Sequence, residues 1–365
     1  MKVLSQSVRK YITTGLGVLS SPSPQKAHCL VYLAGLIWLI KFRSIKTITE
    51  EFGRGDTDGL HHFMRHSTKS SSQMMDASQN FVAAQVRGQD VQLIIDDTTA
   101  PRDGRKIEGL GWHHSGDGLI KGLCAVTAVI RAAGRTWAWD VVSYVSRKSV
   151  SKEVFRSKIE IALGIIAAAH KKLGIAVTVL IDSWYACAPI LNAVALSGWI
   201  YVAAVKTNRI FIVDGKKTPV RNLAKGPRDY QTVRLSKKRI FRVAKRIVIL
   251  PKVGMVALFI CKHHNLTRFF ISNNLSLSCR QMVHQYDERF EIEFFHKDIK
   301  QHLGFGELFV RSRHCAQKHW SLVAIAYNLV LLMSHEPNSR SFRRKIEQLR
   351  KHIPAQAIIK FKFVS

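Results

Sequence analysis

Residues 91–97 read VQLIIDD and residues 177–182 read VTVLID. Each is a short apolar run ending in acid. Continuous apolar runs of this length fit strands buried on both faces, as in parallel sheets. An ionised carboxylate at the end of such a strand is costly unless something neutralises it. A divalent cation shared between the two strands would do so, and hard oxygen ligands suit Mg²⁺ or Mn²⁺. The competing reading is that an acid caps the next helix. For Asp182 this is a real alternative, because a helix is expected a few residues later.

Working outward, Leu119–Ile130 and Arg135–Val145 are rich in Val, Ala, Thr and Trp and flank Ala-Ala-Gly (132–134), which predicts a hairpin. A helical pattern over Ser151–Leu173 stops at Gly174, and another over Ala186–Ser197 stops at Gly198. WIYVAAV (199–205) is a further strand. The order is β-β-β-α-β-α-β, with acids at the ends of the first and fourth strands. Strand character returns over Val256–Ile271. A helix is expected over Met282–Leu303, ending at Gly304, and an apolar helix over Lys318–Met333.

The first 80 residues look helical. Helices are expected over Gln25–Phe42, Ser44–Phe52 and Leu60–Met75, with the turn GRGDTDG (53–59) before the last. That last helix carries His61, His62, Arg65, His66 and Lys69. A helix-turn-helix that binds DNA and a small bundle with a solvated basic face are equally good readings.

Composition narrows the function. The 365 residues include 56 Lys or Arg and 25 Asp or Glu, a net charge of +31, and 47% are hydrophobic. That apolar content excludes disorder over the whole length, and the charge points to a polyanionic partner. Residues 206–252 hold fifteen basic residues and two acids in short alternating strands, with Tyr230, Phe241, Val243, Ile247 and Ile249 interleaved. This reads as an insertion whose surface meets phosphate, with Lys237, Lys238 and Arg239 as candidate contacts. Arg340–Lys362 holds eight more basic residues and one acid, Glu347. The longest apolar run, Cys29–Ile40, falls short of the roughly 20 residues that span a bilayer, and no signal peptide is expected. Six scattered cysteines read as reduced, buried hydrophobes. Cys261, His263, His264 and Cys279 match no common zinc spacing.

Tyr286, Arg289, Glu293 and Lys300 fall within roughly 60° of arc on one ideal helix. Asp287, Glu288, Glu291 and Asp298 fall on its other side. Glu293 is therefore the one acid sharing a face with an Arg, a Lys and a Tyr. That is either a surface salt-bridge row or a metal-binding carboxylate among phosphate ligands.

At these residues the sequence resembles a known family. The spacing Y-(2)-R-(3)-E-(6)-K, met by Tyr286, Arg289, Glu293 and Lys300, is the signature of a large group of bacterial insertion-sequence transposases. Those are DDE enzymes with an RNase H-like core. IIDDTTAP (94–101) looks like their first catalytic strand and VLIDSWY (179–185) like their second. The resemblance covers roughly residues 90–335. It implies an α/β fold: an RNase H-like mixed sheet flanked by helices, with a β-rich insertion and an N-terminal helical DNA-binding domain. The boundaries expected are 1–85 for the helical domain, 86–335 for the catalytic domain interrupted at about 206–272, and 336–365 for a basic tail. The implied triad is Asp97, Asp182 and Glu293. Asp96 is the alternative to Asp97, because both DDT (96–98) and DTT (97–99) fit an Asp-x-Thr pattern and only one of two neighbours can face the metal. The resemblance further implies two Mg²⁺ ions per site, with Mn²⁺ as a substitute, and Tyr286, Arg289 and Lys300 on DNA near the cut. It implies double-stranded DNA, both transposon ends and target, as partner, a homodimer on paired ends, and a cytoplasmic, nucleoid-associated location. Tyr230 or Phe241 stands where some relatives stack a Trp on a base. The rival functions are an RNase H-like nuclease without strand transfer and a non-catalytic DNA-binding regulator.

Overall fold

A computed structural model describes residues 4–17, 21–104, 106–115, 118–147, 151, 154–225, 229–308, 311–334 and 341–362. Among the described residues five α-helices and one π-helical turn (Tyr11–Gly15) come first: α1 (Gln6–Lys10), α2 (Ser23–Trp38), α3 (Ile45–Phe52), α4 (Thr57–His66) and α5 (Ser71–Gln85). The apolar run Cys29–Ile37 is buried along α2 and is a core helix, not a span. The single helix expected over Leu60–Met75 is two. The Ser70 side chain accepts from the Gln73 N–H, and the Gln73 side chain accepts in turn from the Ser70 N–H. This capping box starts α5 afresh, so Lys69 lies in the turn and not beside Arg65.

The central strands follow the expected order, with one strand more. They are β1 (Val91–Pro101), β2 (Gly111–Ser115), β3 (Gly118–Ala132) and β4 (Arg135–Tyr144), then α6 (Lys158–Leu173), β5 (Val177–Ile181), α7 (Ala188–Leu196) and β6 (Ile200–Val205). The β3–β4 turn uses positive φ at Ala133 and Gly134, as two-residue hairpins require. Strand β1 runs parallel to β5, β5 parallel to β6, and β3 antiparallel to both β1 and β4. The resulting mixed sheet β4-β3-β1-β5-β6, flanked by helices, is an RNase H-like core. Strand β1 does not stop at its acids. It continues to Pro101 against β3, and only its parallel pairing to β5 ends at Ile95.

The basic segment and the strand stretch after it form β7 (Ile210–Val213), β8 (Lys216–Pro219), α8 (Val220–Leu223), β9 (Gln231–Arg234), β10 (Ile240–Leu250), β11 (Gly254–His263) and β12 (Leu266–Ser272). It prolongs the central sheet: β12 pairs with β6, and the order runs on as β12-β11-β10-β7-β8. Five helices close the chain: α9 (Cys279–Asp287), α10 (Glu291–His302), α11 (Arg313–Met333), α12 (Phe342–His352) and α13 (Gln356–Ile359).

Helix α11 packs on β4, α5 and α2, and one cluster of buried apolar residues runs from the first helices through the sheet to α12. Buried polar groups fix its register. Tyr32 Oη is 2.7 Å from His319 Nδ1, and Lys318 Nζ donates to the Phe63 carbonyl at 2.7 Å. The Asn328 amide accepts from the Ala138 N–H and donates to the Ala138 carbonyl, each at 2.9 Å. Asn328→Leu strands both backbone groups, so it should cost about 2–5 kcal/mol in urea unfolding. A loss below about 0.5 kcal/mol would contradict this account. The C-terminal helices are docked: Trp38 Nε1 donates to the Ile353 carbonyl at 2.9 Å, and Arg350 donates to that of Ile37 at 2.7 Å. No described helix is long and apolar enough to cross a membrane.

Candidate active site

Ile94 pairs with Leu180 and Ile95 with Ile181, so Asp96 and Asp182 are the next neighbours along the parallel pair. Because side chains alternate faces along a strand, Asp96 and Asp97 point opposite ways. Asp96 Oδ2 accepts from Arg289 Nη1 at 3.1 Å, and Arg289 Nη2 bonds Glu293. One buried guanidinium thus joins the first strand's acid to the acid of α10. Arg289 also lies 5.8 Å from the ring of Tyr286, which packs on Phe270 at 4.4 Å. The expected continuous helix is interrupted by a 3₁₀ turn at Glu288–Phe290. The tighter turn advances further per residue, so angles drawn for one α-helix do not carry across it. Arg289 and Glu293 still meet four residues apart. Lys300 is exposed near the end of α10 and makes no ion pair among the described residues.

Helix α10 is anchored from behind. His296 Nε2 lies 2.7 Å from Thr127 Oγ1, and Thr127 Oγ1 donates to the Asp96 carbonyl at 3.1 Å. Burial, with Lys300 and Arg289 nearby, pushes His296 down to about 3, so the ring is neutral. Asp182 Oδ1 accepts from the Trp184 and Tyr185 N–H groups at 2.9 and 3.1 Å. Asp182 thus fixes the turn after β5 and does not cap the next helix, because α7 is capped at Cys187 with no side-chain bond. The second oxygen of Asp182 makes no hydrogen bond among the described residues.

Asp97 lies on the far face of β1. Its Oδ2 accepts from Lys158 Nζ at 2.6 Å and from Cys124 Sγ at 3.7 Å, and its Oδ1 accepts from Tyr185 Oη at 3.2 Å. Neither Asp182 nor Glu293 is among its partners.

Burial, and then the charge of Asp182, push the Asp96 carboxyl up to about 7, with Arg289 opposing. The charge of Asp182 thus penalises that of Asp96, and carboxylate oxygens are the hard ligands that Mg²⁺ and Mn²⁺ take. Among the described residues no three His, Cys, Asp or Glu side chains already converge as a metal cage. Here the guanidinium stands between Asp96 and Glu293. The same statement covers Cys261, His263, His264 and Cys279, where His263 stacks on Phe241 at 4.7 Å. All six cysteines are free thiols.

The Asp96 value sets a sign. Its folded value lies above the ordinary aspartate value of about 4, so the folded state binds more protons. Stability from this group therefore falls as pH rises from about 4 to about 7. Asp96→Asn should remove that fall and be about 1–3 kcal/mol more stable than wild type at pH 8 in EDTA. At pH 4 the gain should vanish. Asp140 and Asp298 are also raised, to about 6 and 7, but they act equally in both proteins. Identical pH dependence of the two melting curves would contradict the assignment.

The expected DNA contacts are dispersed. Arg65 lies on the exposed face of α4 with His62 and His66, opposite buried Leu60, Phe63 and Met64. Lys237 and Lys238 are exposed in the turn before β10. Arg239 forms a two-bond pair with Asp287 of α9. Arg242 and Lys262 lie 5.2 and 4.7 Å from the Tyr230 ring, so Tyr230 and Phe241 both have partners within the chain. Sequence reasoning missed Thr127, Lys158, Tyr185 and His296. Only His296, one helical turn after Glu293, carried a local signal.

A family model described as DDE superfamily endonuclease matches residues 19–242, a stretch that includes Asp96, Asp97 and Asp182 and stops short of Glu293. No curated protein matches the chain.

Proposed function

Because the chain belongs to the DDE superfamily endonucleases, we propose that it is a transposase that cuts transposon ends and joins their 3′ ends to target DNA. The observation that carries this reading is the arrangement of Asp96 beside Asp182, with Arg289 linking Asp96 to Glu293. In this reading the metal-holding acids are Asp96, Asp182 and Glu293, with Asp96 in the place the sequence pattern assigns to Asp97. A bound Mg²⁺ or Mn²⁺ supplies Lewis-acid stabilisation of the phosphate under attack. Arg289, once released from the carboxylates, offers a planar fork to a phosphate beside the cut. Lys300 adds a point charge near the end of α10, and Tyr286 orients Arg289. The basic strands β7–β10 and the exposed face of α4 hold duplex backbone, and two copies act on paired ends.

The test is strand joining. Pre-cut end DNA incubated with the protein, plasmid and Mg²⁺ should give covalent end–plasmid products. Cutting of uncut ends without joining would reduce the activity to that of an endonuclease, and binding indifferent to metal would leave only a regulator. Lys300→Ala should lower the salt slope of end binding by about 0.9. An unchanged slope would remove Lys300 as a phosphate contact.

A further inference from the structure

We propose that Trp184 is a stacking platform for a nucleobase of the DNA adjoining the cut, held from behind by Asp97, Lys158 and Tyr185. The proposal rests on the reading of Asp182 as a metal-holding acid of a DNA-cutting site. Trp184 stands two residues after Asp182 and is tied to it, since its backbone N–H donates to Asp182 Oδ1 at 2.9 Å. The residue is 45% exposed, so it does not belong to the core. An isolated exposed indole is ordinary; the support behind this one is not. The ring of Tyr185, itself buried, meets it edge-on at 4.8 Å. The Lys158 ammonium lies 5.6 Å from the indole centroid and 5.2 Å from the ring of Tyr144. That ammonium is pinned by Asp97 at 2.6 Å, and Tyr185 Oη donates to the same carboxylate at 3.2 Å.

The clasp gives the second acid of the Asp96–Asp97 pair a role. Asp97 faces away from the proposed metal site and binds two groups that fix the indole. A preset aromatic face stacks on a base with little loss of side-chain freedom, and such stacking is indifferent to sequence. A base inside a duplex is already stacked on both sides. The ligand class is therefore a base at or next to a strand end, which cutting at the adjacent carboxylates creates.

The experiment uses the full chain and pre-cut end DNA carrying 2-aminopurine at each position next to the strand end, with Ca²⁺ replacing Mg²⁺ so that binding is read without strand joining. Wild type should quench the probe at one or two adjacent positions. Trp184→Ala should abolish that quench and weaken end binding on the order of ten-fold, while Trp184→Phe retains most of both. Asp97→Asn and Lys158→Met should give partial quenching, because the indole loses its backing but not its ring. Quenching by Trp184→Ala equal to wild type at every position, or unchanged affinity, overturns the proposal. Circular dichroism and melting curves on each variant separate local loss from misfolding. The active-site reading fails separately, through cutting retained by Asp96→Asn.

Discussion

Asp96→Asn is expected to abolish metal-dependent cutting of end DNA while Asp97→Asn keeps a measurable rate. The change removes one charge and almost no volume. At Asp96 it takes an oxygen ligand from the face that holds Asp182 and Arg289. Losing several kcal/mol of transition-state stabilisation at such a site slows cutting on the order of a thousand-fold. End binding, read in Ca²⁺, should change little, because phosphate contacts elsewhere supply it. At Asp97 the same change strands Lys158, whose side chain is 14% exposed. That should cost about 1–3 kcal/mol of stability without removing a metal ligand. The two variants are to be compared in one cleavage assay at equal folded fraction. Loss in Asp97→Asn with activity kept in Asp96→Asn would restore the choice the sequence pattern favours.

Arg289→Ala carries the second large effect, and it couples folding to metal. The Arg289 guanidinium is the counter-cation of Asp96 and Glu293. Without it Asp96 faces Asp182 uncompensated, and the metal-free fold should lose about 2–3 kcal/mol. This is below the usual figure for a broken buried pair because the Glu293 side chain is 49% exposed. A dication can replace the lost charge, so Mg²⁺ should raise the melting temperature of Arg289→Ala more than that of wild type. Cutting should fall roughly a hundred-fold. Arg289→Lys should recover part of the stability but little of the rate, because an ammonium lacks the fork. Equal melting temperatures for wild type and Arg289→Ala in EDTA would end this account.

The helix expected over 60–75 broke at Ser67–Ser70 because a capping box is a local competitor that apolar periodicity does not register. The helix over 282–303 broke for a different reason. A 3₁₀ turn at 288–290 places Arg289 under Asp96, a partner 193 residues away. The basic segment was legible as strands, but not as an extension of the main sheet, since the pairing of β12 with β6 is a non-local choice. Arg239 was legible as basic, yet its partner Asp287 was not.

By itself the sequence determined the order of the core strands and helices along the chain, β2 excepted, while the mixed sheet was what the resemblance implied. Strands buried on both faces must be continuous apolar runs, and helices between them must carry the 3.6-residue pattern and stop at residues such as Gly174. It also determined the few acids that lie beside buried strands. Only the tertiary structure decided which of Asp96 and Asp97 faces Asp182. That choice is a matter of parity: a shift of one residue in register sends every side chain to the opposite face. The register is set by pairing to β3 and β5 and by the packing of α10. The local string Asp-Asp-Thr is nearly symmetric under such a shift, whereas the surroundings of its two acids are not. One acid meets Arg289 and Asp182, the other Lys158 and Tyr185.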